Sequence, residues 1–316
     1  MSATPPLGAL PPAAASPPPG RAGNIYDLGY RRYEGPRLGR AHAIRALIGH
    51  SFRTTYGIGR SGRAKAAPII FGAMAILPAV IIVGGLTIAA RFGFDRQLDD
   101  AELIGFNNYY SAVAAIVVLF CAAQAPELFG RDQRHGVLAL YFARALRRSD
   151  YALGRLVGFG LALLAMLLVP MVILFLGRVL LSVDIAKAFG SNLPNIPPIL
   201  AQGATIAALY GGLAMAVAAF SPRRAYATAG IIALFVLPGL VTGILISIGS
   251  STIGTWLVLL SPNTIIDGTN ALYFQRSLGE EYFFVTIPSW AFLAAAIIEI
   301  GVVVALILRR FARITI

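Results

Sequence analysis

Residues 66–90 read AAPIIFGAMAILPAVIIVGGLTIAA, an uncharged run bounded by Lys65 and Arg91. A helix rises about 1.5 Å per residue, so about 20 apolar residues cross the roughly 30 Å hydrocarbon core of a bilayer. Five more such stretches follow, at 109–129, 152–177, 199–220, 226–248 and 289–308. A mean hydropathy of +0.74 and 57% hydrophobic residues exclude an ordinary soluble domain. The expected fold is all-α: a polytopic membrane protein whose residues 66–316 form six transmembrane helices.

The charges orient this bundle. The chain holds 26 Lys+Arg against 14 Asp+Glu, a formal net charge of +12. Ten basic residues precede the first span, from Arg21 to Lys65. Arg131, Arg134, Arg144, Arg147, Arg148 and Arg155 cluster between the second span and the start of the third. Arg223 and Arg224 follow the fourth span, and Arg309, Arg310 and Arg313 follow the sixth. Only Arg91, Arg96, Arg178, Lys187 and Arg276 lie on the opposite side. Positive-inside asymmetry puts both termini in the cytoplasm of a cell inner (plasma) membrane. The basic excess reports topology and anionic lipid headgroups, and nucleic acid is not an expected partner.

Residues 1–23 form a Pro/Ala-rich stretch that cannot bury enough surface to fold and read as a disordered cytoplasmic tail; Met1–Gly20 alone has seven prolines. No secretory signal is visible, and the single Cys121 lies inside the second span. Residues 24–65 form a cytoplasmic segment that opens on a Tyr/Arg-rich cluster, 26–37. Within it, 38–58 reads as an amphipathic interfacial helix. Ala41, Ile44, Leu47, Ile48, Phe52 and Tyr56 share one arc, with His42, His50 and Arg53 opposite, while Arg40 and Arg45 must snorkel. Packing of this helix on another cytoplasmic domain is the alternative.

Ala204, Ala208, Gly212 and Ala216 give the fourth span a small-residue ridge for close helix approach, and Pro78, Pro170 and Pro238 should kink their spans. The loop 130–151 is arginine-rich yet helical in pattern. The loop 249–288 holds an apolar run, 256–260, too short to cross the bilayer. It either dips in and returns or caps the bundle.

Catalytic signatures are missing. No GxxxxGK[ST], G-x-S-x-G or H-E-x-x-H occurs, and His42, His50 and His135 lie outside the spans without a second ligand at metal-binding spacing. No metal site and no enzymatic activity are expected. Glu299 stands out midway along the sixth span. An ionised carboxylate there costs several kcal/mol, so it should meet a cavity, a partner or a proton. Two readings stay open: a substrate or proton contact, or a hydrogen bond to a neighbouring helix through Gln124 or Gln202.

The segment 136–155, GVLALYFARALRRSDYALGR, resembles without a gap the cytoplasmic loop of ABC type-two permeases, whose pattern runs roughly G-T-L-x-L-L-L-x-x-P-x-x-R-x-x-x-x-x-G-K. Gly136, Leu138, Leu140, Arg148 and Gly154 match, Arg155 replaces the usual lysine, and Glu127 supplies the family's upstream acid. Val137 stands in place of the threonine, Ala139 where an acid is frequent in the family, and Ala145 in place of the proline. Ser261-Pro262 is similar to the family's short S-P segment. The 30–37 stretch and the ratio of arginine to lysine resemble a subgroup from high-GC Gram-positive bacteria.

The resemblance implies the permease subunit of a type V ABC exporter. Such a subunit moves a hydrophobic or amphipathic compound (drug, antibiotic or lipid-like) out of the cell. It forms a dimer with a second permease copy or a paralogue. A separate ABC ATPase subunit, which carries the ATP and Mg, would drive it through a coupling helix, and no cofactor is implied for this chain. The coupling residues implied are Glu127, Arg131, Asp132, Arg134, Gly136, Leu138, Leu140, Arg144, Arg147 and Arg148. By the same analogy Tyr109, Tyr110, Gln124, Phe235 and Thr242, with Glu299, line the substrate pathway. An ion-coupled secondary transporter, or a non-transporting membrane scaffold docking a cytoplasmic protein, are the alternatives.

Overall fold

Backbone N–H and C=O groups cannot be left bare in hydrocarbon, so each long apolar run closes its hydrogen bonds within a helix. The computed structural model describes residues 35, 38–92, 105–143, 146–182, 184–247, 256–278 and 287–314. In chain order the helices are α1 (Arg40–Thr55), α2 (Gly62–Phe92), α3 (Phe106–Arg134), α4 (Leu138–Phe142), α5 (Arg148–Leu180), α6 (Ile185–Asn192), α7 (Ile196–Phe220), α8 (Arg224–Ser247), α9 (Pro262–Tyr273) and α10 (Ser289–Ala312). Six helices among the described residues are long and apolar enough to cross a membrane. They contain α2, α3, α5, α7, α8 and α10, and no strand occurs among the described residues. The chain is an all-α, multi-pass membrane protein. The tail 1–23, most of 26–37, Arg144, and 249–255 and 279–286 of the long loop lie outside the described residues.

α7 is the centre of the bundle: 67% of its most apolar stretch is buried, against 11% for α2 and 22% for α8. Close approach is made along Gly203 and Gly211, whose missing side chains leave room for Tyr110 and Leu164 and for the Phe159 ring. The ridge expected at Ala204, Ala208, Gly212 and Ala216 is only half engaged. Gly212 and Ala216 are buried, while Ala204 and Ala208 are exposed. A four-residue step advances about 40° round the helix, so a straight ridge of four residues cannot face one neighbour along its whole length. Pro78, Pro170 and Pro238 sit inside continuous helices, as do Pro68 and Pro126.

At the arginine-rich end the helices run past the expected span limits. α3 runs past 129 to Arg134, and α5 begins at Arg148, before 152. Arg131 and Arg134 sit in the last turn of α3, where a cation complements the helix dipole and the chain can leave the hydrocarbon still helical. The stretch 131–148 is therefore not one stiff helix. It is the end of α3, a turn at Gly136 with φ of +64°, the short α4, and the start of α5.

α1 lies along α5, where two glycines make its seat. A Cβ at Gly154 would meet Leu47 Cδ2 at 2.8 Å, and one at Gly158 would meet Ser51 Cβ at 2.5 Å. The buried stripe of α1 is Leu47, Ser51, Thr54 and Thr55, and of the apolar arc only Leu47 belongs to it. Ser51 and Thr55 satisfy their hydroxyls on the carbonyls of Leu47 and Ser51, so they pack like small apolar residues. Arg40 pairs with Asp150.

The short apolar run in the first part of the long loop leads into α9, which is wedged against α7, α10 and α8. Ser261 caps it, its Oγ accepting from the Thr264 N–H, and Pro262 occupies the first helical position where no N–H is needed. Gln202 Nε2 donates to the Ile266 carbonyl at 3.0 Å and Asn270 Nδ2 to the Asn107 carbonyl at 3.1 Å. Asn263 accepts from the Tyr210 hydroxyl and donates to the Phe235 carbonyl. Gly268 admits the ring of Phe292, which would overlap any Cβ there.

Candidate functional site

The arginine-rich end of the bundle brings together α1, the end of α3, α4, and the start of α5. Its keystone is Arg155, a guanidinium only 2% exposed. Arg155 pairs with Asp132 across from α3, donates to the Tyr141 hydroxyl at 2.9 Å, and reaches Ser51 Oγ at 3.3 Å. Its plane lies over the rings of Tyr141 and Tyr151, at 5.5 and 5.6 Å to their centroids. The Tyr151 hydroxyl donates to Asp132 Oδ2 at 2.7 Å. A buried charge needs this much company, because a partnerless one costs several kcal/mol. The consequence is mechanical: α4 cannot shift without disturbing α1, α3 and α5 together.

Aromatic rings extend the junction. Phe129, Tyr151 and Phe311 stack in a triangle with centroids 4.7 to 6.0 Å apart, joining α3, α5 and the end of α10. Tyr141 and Phe142 of α4 lie 5.2 and 5.8 Å from Tyr151. Arg148 donates to the Ala312 carbonyl at 2.8 Å. The Ala219 carbonyl, orphaned at the end of α7, accepts from Gln133 at 3.1 Å.

Two further ion pairs frame the site. Glu127 is held by Arg60 at 3.2 Å and by Arg224 at 3.1 Å, tying the α1–α2 turn and the start of α8 to α3. Arg40 grips Asp150 through Nε and Nη2, at 2.7 and 2.6 Å, and Asp150 also accepts the Arg147 N–H at 2.9 Å. The Tyr56 hydroxyl donates to the Ala162 carbonyl at 2.7 Å, and burial pushes this phenol up to about 12.

Between α1 and α4 opens a cleft of about 840 Å³. Ala43, Leu47, Ile58, Val137, Leu140 and Leu146 are among its apolar lining, and its basic groups are His50, Arg60, Arg131, His135 and Arg155. Its acids, Glu127 and Asp132, are already paired. Partial burial, and next the Arg155 guanidinium, hold the His50 imidazole below its usual range.

The coupling candidates thus divide. Glu127, Asp132 and Leu138 are turned into the protein and serve its framework. Arg134, Gly136, Leu140 and Arg147 are exposed, with Leu140 at 69%, and Arg131 and Arg148 are half-buried. The pathway candidates make their own contacts within the bundle. Tyr109 and Tyr110 donate to the carbonyls of Ala75 and Ile199, at 2.9 and 2.7 Å, and act as interhelical staples. Phe235 packs its ring 4.5 Å from that of Tyr210, Thr242 bonds within α8, and Gln124 is buried in α3. Gln202 does not reach Glu299, being engaged by Ile266 and Thr269.

Sequence reasoning missed the roles of Ser51, Arg60, Tyr141, Tyr151 and Asp150, and saw Arg155 only as a motif position. One signal was present: Asp132 and Arg155 are opposite charges at the facing edges of consecutive spans. No protein-family model matches this chain, and no curated protein is significantly similar to it.

Proposed function

We propose that this chain is the membrane-spanning permease of an ATP-driven exporter of the ABC type-two kind, energised by a separate ATPase subunit. The observation that carries the reading is the Arg155 junction, which makes the exposed turn after α3 a handle on three helices at once. A push on Leu140, Arg134 and Arg147 is transmitted as rigid-body motion, because packed interfaces switch rather than deform continuously. The cleft offers an apolar wall and the half-buried Arg131 to a partner segment with an apolar face and an acid.

In this reading the arginine-rich end faces the cytoplasm, as do both termini, in the plasma membrane. A second copy or a paralogue completes the transporter. ATP and Mg stay on the ATPase, and the cargo is a hydrophobic or amphipathic compound. The test is co-purification with a lone P-loop ATPase encoded beside this chain. The wild type should yield a stoichiometric complex whose ATPase responds to transport. Leu140→Asp with Arg147→Glu should lose at least tenfold in assembly while the chain itself stays monodisperse. Full assembly by the double variant overturns the proposal.

A further inference from the structure

The cleft between α1 and α4 holds more positive charge than its own acids take up. Glu127 is held by Arg60 and Arg224, and Asp132 by Arg155 and the Tyr151 hydroxyl. Arg131, half-buried in the cleft lining, has neither an ion pair nor a side-chain hydrogen bond among the described residues. His135, four residues further on, and His50 of α1 line the same cleft, and Arg131 lies near enough to His50 to oppose its protonation. The Nε2 of His50 meets Thr54 Oγ1 at 3.3 Å, and its Nδ1 has no partner among the described residues. An unpaired guanidinium with two imidazoles in one cleft is a set of donors suited to an anion.

The depth of the cleft fits a lipid phosphate. Ile58, Gly59 and Arg60 lead directly into α2, and Arg131 stands in the last turn of α3. Both helices are long and apolar enough to cross a membrane, so the cleft lies where two spans leave the hydrocarbon, at the level of the headgroups. Its apolar lining reaches the outside: Ile58 is 55% and Leu140 69% exposed. A small inorganic anion would use the basic groups and leave that lining bare. A zwitterionic headgroup would bring an ammonium, and both acids of the cleft are already paired. An anionic headgroup with an apolar body uses both parts of the site.

We propose that the cleft between α1 and α4 binds the headgroup of an anionic phospholipid. The phosphodiester sits on Arg131, with His50 and His135 as further donors, and the glycerol and first acyl carbons lie on the apolar lining. Basic pockets beside membrane helices suit such headgroups, because half-buried charges attract with little screening. Binding needs no ATPase. One consequence rests on the transport reading: an acidic partner segment and the headgroup compete for Arg131, so the lipid would regulate docking.

The experiment is equilibrium binding of radiolabelled dihexanoyl phosphatidylglycerol, a short-chain anionic lipid, to the full chain in phosphatidylcholine nanodiscs, with empty discs subtracted. The wild type should bind saturably, about one lipid per chain, and neither dihexanoyl phosphatidylcholine nor inorganic phosphate at the same concentration should displace it. Arg131→Gln should weaken binding at least tenfold with unchanged thermal unfolding, since the side chain gives up no bond within the fold. Ala46→Phe, which narrows the cleft and keeps every charge, should weaken it similarly. Arg134→Gln removes the same charge from the same helical turn but outside the cleft, and should bind as the wild type does. Unsaturable binding, displacement by the phosphatidylcholine, or wild-type binding by Arg131→Gln or Ala46→Phe overturns the proposal. Equal losses in Arg131→Gln and Arg134→Gln would show diffuse attraction to a basic surface and overturn it too. Displacement by inorganic phosphate would make this a free-anion site and overturn the lipid. All readouts use this chain alone, so failure to assemble with an ATPase leaves the inference standing, and loss of lipid binding leaves the transport reading standing.

Discussion

At the residue scale, Arg155 shows how a charge is kept at the edge of an apolar helix. Its guanidinium has an acid, two rings, a phenol and a hydroxyl around it, and only Nε lacks a partner. Removing one side of such a pair leaves the other charge buried and bare. Arg155→Met should therefore destabilise the folded chain by about 3–5 kcal/mol, read as a large fall in thermal unfolding temperature in detergent. Asp132→Asn combined with Arg155→Met should recover part of that loss, since no lone charge remains. A single variant as stable as the wild type would remove the junction from the argument. Gly268 makes the same point sterically: a methyl group there overlaps the Phe292 ring. Gly268→Ala should cost about 1–3 kcal/mol as an overpacked contact, again measured by thermal unfolding.

At the element scale, α1 is held by shape and by charge. Its seat depends on Gly154 and Gly158, and its start on the paired contact of Arg40 with Asp150. Gly158→Leu should lift α1 from α5, which hydrogen exchange would report as faster exchange over 40–55 with the spans unaffected. Unchanged protection would show that α1 does not need the glycine seat. His50 adds a pH dependence. Its imidazole resists protonation in the folded state, mainly through burial. Above the ordinary imidazole value of about 6.5 both folded and unfolded chains are neutral at this site. As the pH falls below it, the unfolded chain takes the proton first, so folding stability declines until the folded value is passed. Thermal unfolding across that window should slope downward with falling pH for the wild type and less steeply for His50→Gln. Equal slopes would exclude His50 as the source.

At the scale of the whole molecule, the proposed topology, with both ends of the bundle's chain in the cytoplasm, rests on six spans and on the arginine distribution. Cys121 is buried, so it should give little background for labelling from water. A cysteine at Arg134 or Arg147 should react with a membrane-impermeant maleimide only after the membrane is opened. Reaction in intact cells would invert the topology and with it the proposed site of ATPase contact.

Hydropathy and charge are local quantities, summed residue by residue along a helix, and they were enough for the number of spans, their approximate ends, the basic end of the bundle and the helix preceding the first span. The same reasoning found the short apolar run before α9 and the oddity of Glu299. What it could not reach depends on rotation and approach. Whether Ala208 or Gly211 faces a neighbour, whether Asp132 meets Arg155 or a partner, and whether Gln202 serves Ile266 or Glu299 are all set by how helices far apart in sequence turn toward each other. Those angles follow from the combined packing of many side chains, so only the assembled bundle fixed them.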